Sequence, residues 1–109
     1  MVDAQTPDEK QAVIRQKRDA KARDHLAQYA PVWLVDEDFV LDEDSMRFEV
    51  VFFHPRYQWL RRRYYFDAYN NVLHHKGQVR LDEGDTYDIQ AQAPYISADV
   101  LNTVDSYGG

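Results

Sequence analysis

Apolar positions change their period along the chain, and the changes mark a helical start, a sheet-forming middle and a short terminal segment. Through Tyr29 the sequence is rich in Ala, Lys, Arg and Gln and holds no Gly, a composition that favours helix. Thr6-Pro7-Asp8-Glu9 reads as its beginning, with Thr6 as cap, Pro7 at the first helical position and Glu9 three residues on. Pro31 ends it by disfavouring helical backbone at Ala30. Val13, Ala20 and Ala27 recur every seven residues with Ile14 and Leu26 beside them. That stripe is thin and mostly small, so the spacing predicts a helix docked weakly on its own domain or docked on a partner.

From Val32 the pattern becomes strand-like. Val32-Trp33-Leu34-Val35 and Phe39-Val40-Leu41 are short apolar runs bounded by acids, read as two strand segments around a turn. Met46, Phe48, Val50 and Phe52 then alternate with Arg47, Glu49, Val51 and Phe53, which predicts a central strand up to His54, where Pro55 cannot donate to a ladder. A second strand, Trp59 to Tyr69, runs into Asn70-Asn71. Asn tolerates positive φ, and a two-residue hairpin loop requires it twice.

Such a loop sets Asp67 opposite His74, Tyr65 opposite Lys76 and Arg63 opposite Gln78 on one face. It sets Phe66 opposite His75, Tyr64 opposite Gly77 and Arg62 opposite Val79 on the other, which is the more apolar face and the expected core side. Leu81 to Asp85 reads as a turn and Thr86 to Ala91 as a closing strand with Tyr87 and Ile89 inward. Ser97 reads as the cap of a short helix carrying Val100, Leu101 and Val104. The expected fold is α+β, a single domain over 1–109. It has a long N-terminal helix within 1–30, an antiparallel meander sheet of four or five strands over 32–91, and a short helix over 97–105.

Composition narrows the function classes. With 109 residues there is room for one core and none for a doubly wound nucleotide fold or a two-domain cleft enzyme. No cysteine is present, which excludes disulfides, thiolate metal sites and cysteine nucleophiles. Neither a membrane span nor a signal peptide is legible, so a cytoplasmic address is the expectation.

The net charge of −6 conceals a segregation. Residues 29–45 carry six acids and no base, residues 46–80 carry seven bases and two acids, and residues 81–109 carry six acids and no base. A basic, aromatic middle therefore stands between two acidic arms, and nine of the fifteen aromatics fall between Phe48 and Tyr69.

Trp59, Arg61, Arg63, Tyr65, Lys76 and Arg80 are the candidate binding residues on the exposed hairpin face. Cations interleaved with planar rings suit phosphates and bases, as in single-stranded nucleic-acid binders, but the acidic arms oppose a polyanion. Tyr, Trp and Arg are equally the residues that dominate protein interfaces. Asp67 and His74 form a candidate polar pair across the hairpin, whereas neighbouring His74 and His75 face opposite ways and do not share a site.

The acidic runs Asp36-Glu37-Asp38, Asp42-Glu43-Asp44 and Asp82-Glu83-Gly84-Asp85 lack the spacing of a calcium loop, and nucleophile elbows, phosphate loops and zinc-protease motifs are absent. No cofactor and no metal are implied, and an enzyme has little to stand on. The expectation is a small non-catalytic interaction or regulatory module, taking a protein partner or self-associating as a homodimer through the sheet edge or the helix. Single-stranded nucleic acid is the alternative ligand, and no membrane is expected.

Overall fold

The computed structural model describes residues 6–99. The chain forms helix α1 (Pro7–Leu26), a 3-10 turn (Ala27–Tyr29) and four strands: β1 (Val32–Val40), β2 (Ser45–His54), β3 (Gln58–Asp67) and β4 (Val72–Arg80). A 3-10 turn (Leu41–Glu43) links β1 to β2, and another (Glu83–Thr86) leads into the short helix α2 (Tyr87–Gln90). All strand pairs are antiparallel, in the order β1-β2-β3-β4, so the sheet is a four-stranded meander with α1 on one face. The α+β expectation stands, with four strands.

The start of α1 follows the cap chemistry. Thr6 Oγ1 accepts from the Glu9 backbone N–H at 3.2 Å, and the Thr6 hydroxyl donates to Glu9 Oε1 at 3.1 Å. The docking of α1 corrects the thin-stripe expectation. Ile14, Arg18, Ala22 and Leu26, each four residues from the next, are all buried, whereas Val13 is exposed. Positions four apart lie on one face of a helix, and Arg18 fills the gap in that row. Its guanidinium is 1 % exposed and is neutralised by Asp19 at 2.8 Å and Glu37 at 3.1 Å, so a charged residue serves as a core residue.

The core lies between α1 and the sheet. Met46, Phe48, Val50 and Phe52 of β2 and Leu60, Tyr64 and Phe66 of β3 face the helix and are buried with Val32 and Ile96. The expected alternation of β2 is therefore the observed one. β1 runs unbroken from Val32 to Val40 where two segments around a turn were expected, and a bulge at Val35 lets the strand pass the acidic stretch without losing its pairing.

A further expectation is overturned. Residues 86–91 form α2 and its approach, not a fifth strand, and Tyr87 points into solvent. Beyond α2 the chain crosses to β1, where Ile96 makes a bridge to Val32 with backbone hydrogen bonds of 2.9 and 3.0 Å. This bridge lies at the β1 edge, opposite the β4 edge where a closing strand of the meander would pair. The helix expected over 97–105 falls almost wholly outside the described residues, although Ser97 Oγ accepts from the Asp99 N–H at 3.2 Å.

The hairpin register is also corrected. Asp67 pairs with Val72, so the β3–β4 connection is the four residues 68–71, and the pairing moves by two positions. Tyr65 now faces His74, and Tyr64 faces His75. The reason is local: the Asp67 carboxylate accepts from the Asn70 backbone N–H at 3.0 Å and from Asn70 Nδ2 at 2.7 Å, and only Asn71 of the two asparagines takes positive φ. A shift of two preserves the faces. A bulge then leaves Lys76 unpaired, and beyond it Arg63 faces Gly77, Arg62 faces Gln78 and Leu60 faces Arg80.

Candidate functional site

On β3 the residues with odd numbers leave the core. Trp59, Arg61, Arg63 and Tyr65 therefore share the outer face of the sheet, opposite α1, as the alternation requires. The other two candidate residues do not join them. Lys76 is the extra residue of the bulge, and Arg80 faces Leu60, which puts it on the helix side of β4, where its guanidinium donates to Gln58 Oε1 at 3.1 Å. The bulge inverts the alternation beyond it, and nothing in the spacing of the sequence announced it.

The expected Asp67–His74 partnership is not formed. Asp67 holds the turn through Asn70, and His74 stacks at a tilt beside Tyr65, ring centroids 6.0 Å apart. The two hydrogen bonds from Asn70 hold the Asp67 carboxyl below its usual range, and the charge of His74 adds the smallest contribution. His74 and His75 do face opposite sides of β4, and His54 is used structurally, its Nδ1 accepting from the N–H groups of Arg56 and Tyr57. Among the described residues no three His, Asp or Glu side chains converge as metal ligands.

The basic ribbon is less basic than its sequence. Arg62 is 7 % exposed in the helix-facing layer, where it donates to Gln78 Oε1 at 2.9 Å and to the Tyr64 hydroxyl at 3.0 Å. Its guanidinium carbon lies 4.9 Å from the ring centre of Phe52 and 5.5 Å from that of Tyr29. On the outer face, Arg61 Nε is 2.5 Å from Glu49 Oε1, and Arg47 is 3.1 Å from Asp38.

Two acids of the first arm turn towards α1, with Glu37 on Arg15 and Arg18 and Asp44 on Lys10 at 2.8 Å. Burial works against the charge on Glu37, but the hydrogen bond from Arg15 and the nearby Arg18 outweigh it and leave its carboxyl below the usual value. Glu43 accepts the Tyr65 hydroxyl at 3.0 Å. Arg63 and Lys76 remain exposed, with no ion-pair partner among the described residues.

The outer face divides into two halves. Towards the Asp67 end it is a charged lattice of Asp38, Arg47, Glu49, Arg63 and Tyr65. Towards the Trp59 end it is aromatic: Trp59 lies 6.0 Å from Trp33 and meets Phe53 edge to face at 5.5 Å and 77°. Trp33 is buried and its indole N–H donates to the Gln92 carbonyl at 3.0 Å, which ties the C-terminal segment to this end. Phe53 stays 50 % exposed. Beside it opens a hollow of about 420 Å³ bounded by Phe53, Gln58, Trp59, Arg80, Asp82 and Glu83.

Sequence reasoning found Trp59 and missed Phe53. The alternation of β2 placed Phe53 on the outer face, and that position was the available signal.

The chain matches no known protein family, no curated protein and no solved structure. No described helix is long and apolar enough to cross a membrane.

Proposed function

We propose that this domain is a small non-catalytic interaction module that holds a protein partner on the outer face of its sheet, at the end carrying Phe53, Trp59 and Arg61. The observation that carries the reading is the half-exposed Phe53 set against Trp59 beside an open hollow. Aromatic anchors next to an arginine, rimmed by charged groups, have the composition of an interface centre. The free edge of β4 is a poorer surface. A bulge and the unpaired Lys76 interrupt it midway, and both features hinder strand-to-strand pairing.

Single-stranded nucleic acid is the rival ligand. It would have to use Arg63 and the already neutralised Arg61 against Glu49, Asp82 and Glu83. A photo-crosslinking residue in place of Phe53, expressed in the native host, is expected to trap a protein of defined mass, and Trp59→Ala is expected to abolish the adduct. The same residue at Gln16, on the solvent side of α1, is expected to trap nothing. Salt-sensitive binding of a short oligonucleotide, lost when Arg61 and Arg63 are replaced, would overturn the reading.

A further inference from the structure

We infer that the hollow beside Phe53 and Trp59 takes a cationic side chain of the partner, a lysine in plain or methylated form. The inference rests on the interaction reading above and names what the site recognises. Phe53 and Trp59 meet edge to face at 77° and together give the hollow an aromatic wall, and Phe53 is half open to solvent. The negative face of an aromatic ring attracts a cation, and the half-exposed Phe53 ring leaves aromatic surface open to an ammonium group.

The rim supplies matching charge. Asp82 and Glu83 line the hollow, and among the described residues neither side chain has an ion-pair partner. Arg80, the one cation on the rim, donates to the neutral Gln58 Oε1 at 3.1 Å and keeps its charge, and the two carboxylates outnumber it. The acids continue beyond the hollow with Asp85 and Asp88, while the sequence has no Lys or Arg after Arg80. The same arrangement repels a phosphate. The hollow is also large enough to admit the four-carbon stem of a lysine along the rings, with its charged end at the carboxylates.

The test uses the full chain and four blocked pentapeptides that differ only at the central residue: lysine, trimethyl-lysine, norleucine or glutamate. The indole N–H signals of Trp33 and Trp59 are followed by NMR. The lysine and trimethyl-lysine peptides are expected to shift the Trp59 signal and saturate it, and the norleucine peptide to bind about tenfold more weakly. The exposed double variant Asp82→Asn with Glu83→Gln is expected to erase most of that advantage. Phe53→Ala, a change at a half-exposed side chain, is expected to weaken every cationic peptide.

Equal binding of norleucine and lysine would overturn the inference while leaving an apolar interaction surface in place. Preference for the glutamate peptide, or no shift with any peptide, would also overturn it. In the last case the crosslinking experiment decides separately whether the interaction reading survives.

Discussion

Arg61, Arg62 and Arg63 are consecutive, yet β3 delivers them into two environments. Arg62 enters the layer under α1, surrounded by Tyr29, Phe52 and Tyr64 and hydrogen-bonded to neutral acceptors. Arg61 and Arg63 stand on the outer face, one against a half-buried carboxylate and the other exposed. The same side chain is thus a packing element on one side of the sheet and a surface charge on the other. The helix-facing layer holds a second such cation, Arg18, whose guanidinium also lies 5.2 Å from the Phe48 ring centre and 5.4 Å from that of Tyr95. A count of basic residues therefore overstates what the surface offers a polyanion.

The comparison can be broken most sharply at Arg18. Arg18→Ala removes a fully buried side chain, leaves Asp19 without its cation and leaves Glu37 with Arg15 alone, and urea unfolding is expected to show a loss of about 3 kcal/mol. A loss of only about 0.5 kcal/mol, the size of an ordinary surface change, would show that the layer does not depend on its charges. Arg62→Ala is expected to cost about 2 kcal/mol. It forfeits ring contacts and two hydrogen bonds but strands no carboxylate.

A pH series sharpens the same contrast. Burial, and then repulsion from Arg62, lower the affinity of both His25 and His75 for a proton in the folded state. A depressed folded value means that the unfolded chain binds more protons, so stability is expected to be full above the unfolded value near ~6.5 and to fall as pH drops through the folded values. In Arg62→Met the second cause is gone. NMR titration is expected to show both histidines moving up towards the ordinary value, with a shallower loss of stability in acid. Unchanged titrations would place Arg62 electrically outside the layer. The smallest effect is expected on the outer face, where Arg63→Ala should change stability by less than about 0.5 kcal/mol, read in the same urea series.

Much of this architecture was legible because it follows from alternation and caps. Thr6 and Glu9 mark the start of α1, and Met46 to Phe53 and Trp59 to Phe66 declare their faces by a period of two. What was not legible came from long-range or single-residue causes. Arg18 is polar by any scale, and its burial depends on Glu37 and Tyr95, which are remote in sequence. The bulge at Lys76 depends on Gly77, whose φ of 148° lies outside what other residues readily adopt, yet one glycine in a strand does not fix its register. Asn70-Asn71 suggested a two-residue loop, but Asp67 competed for Asn70 and won a four-residue one. At the candidate site, Trp59 was found because β3 alternates cleanly, whereas Asp82 and Glu83 looked like an ordinary solvated turn until the fold set them beside the aromatic wall.

The bridge between Val32 and Ile96 also bears on the order in which the domain can be completed. Each strand pair of the meander joins neighbours in sequence and can close as soon as its second strand exists, whereas Ile96 and Tyr95 reach back to β1 and α1 across most of the chain. As the polypeptide leaves the ribosome N-terminus first, α1 and β1 are exposed long before their last contacts are made. Until Ile96 arrives, the backbone of Val32 offers an unpaired edge to any neighbouring strand, and Asp19 lacks the hydroxyl of Tyr95. The nascent domain therefore completes the Val32 end of its first strand last, and the segment carrying Tyr95 and Ile96 acts as the latch that ends that interval.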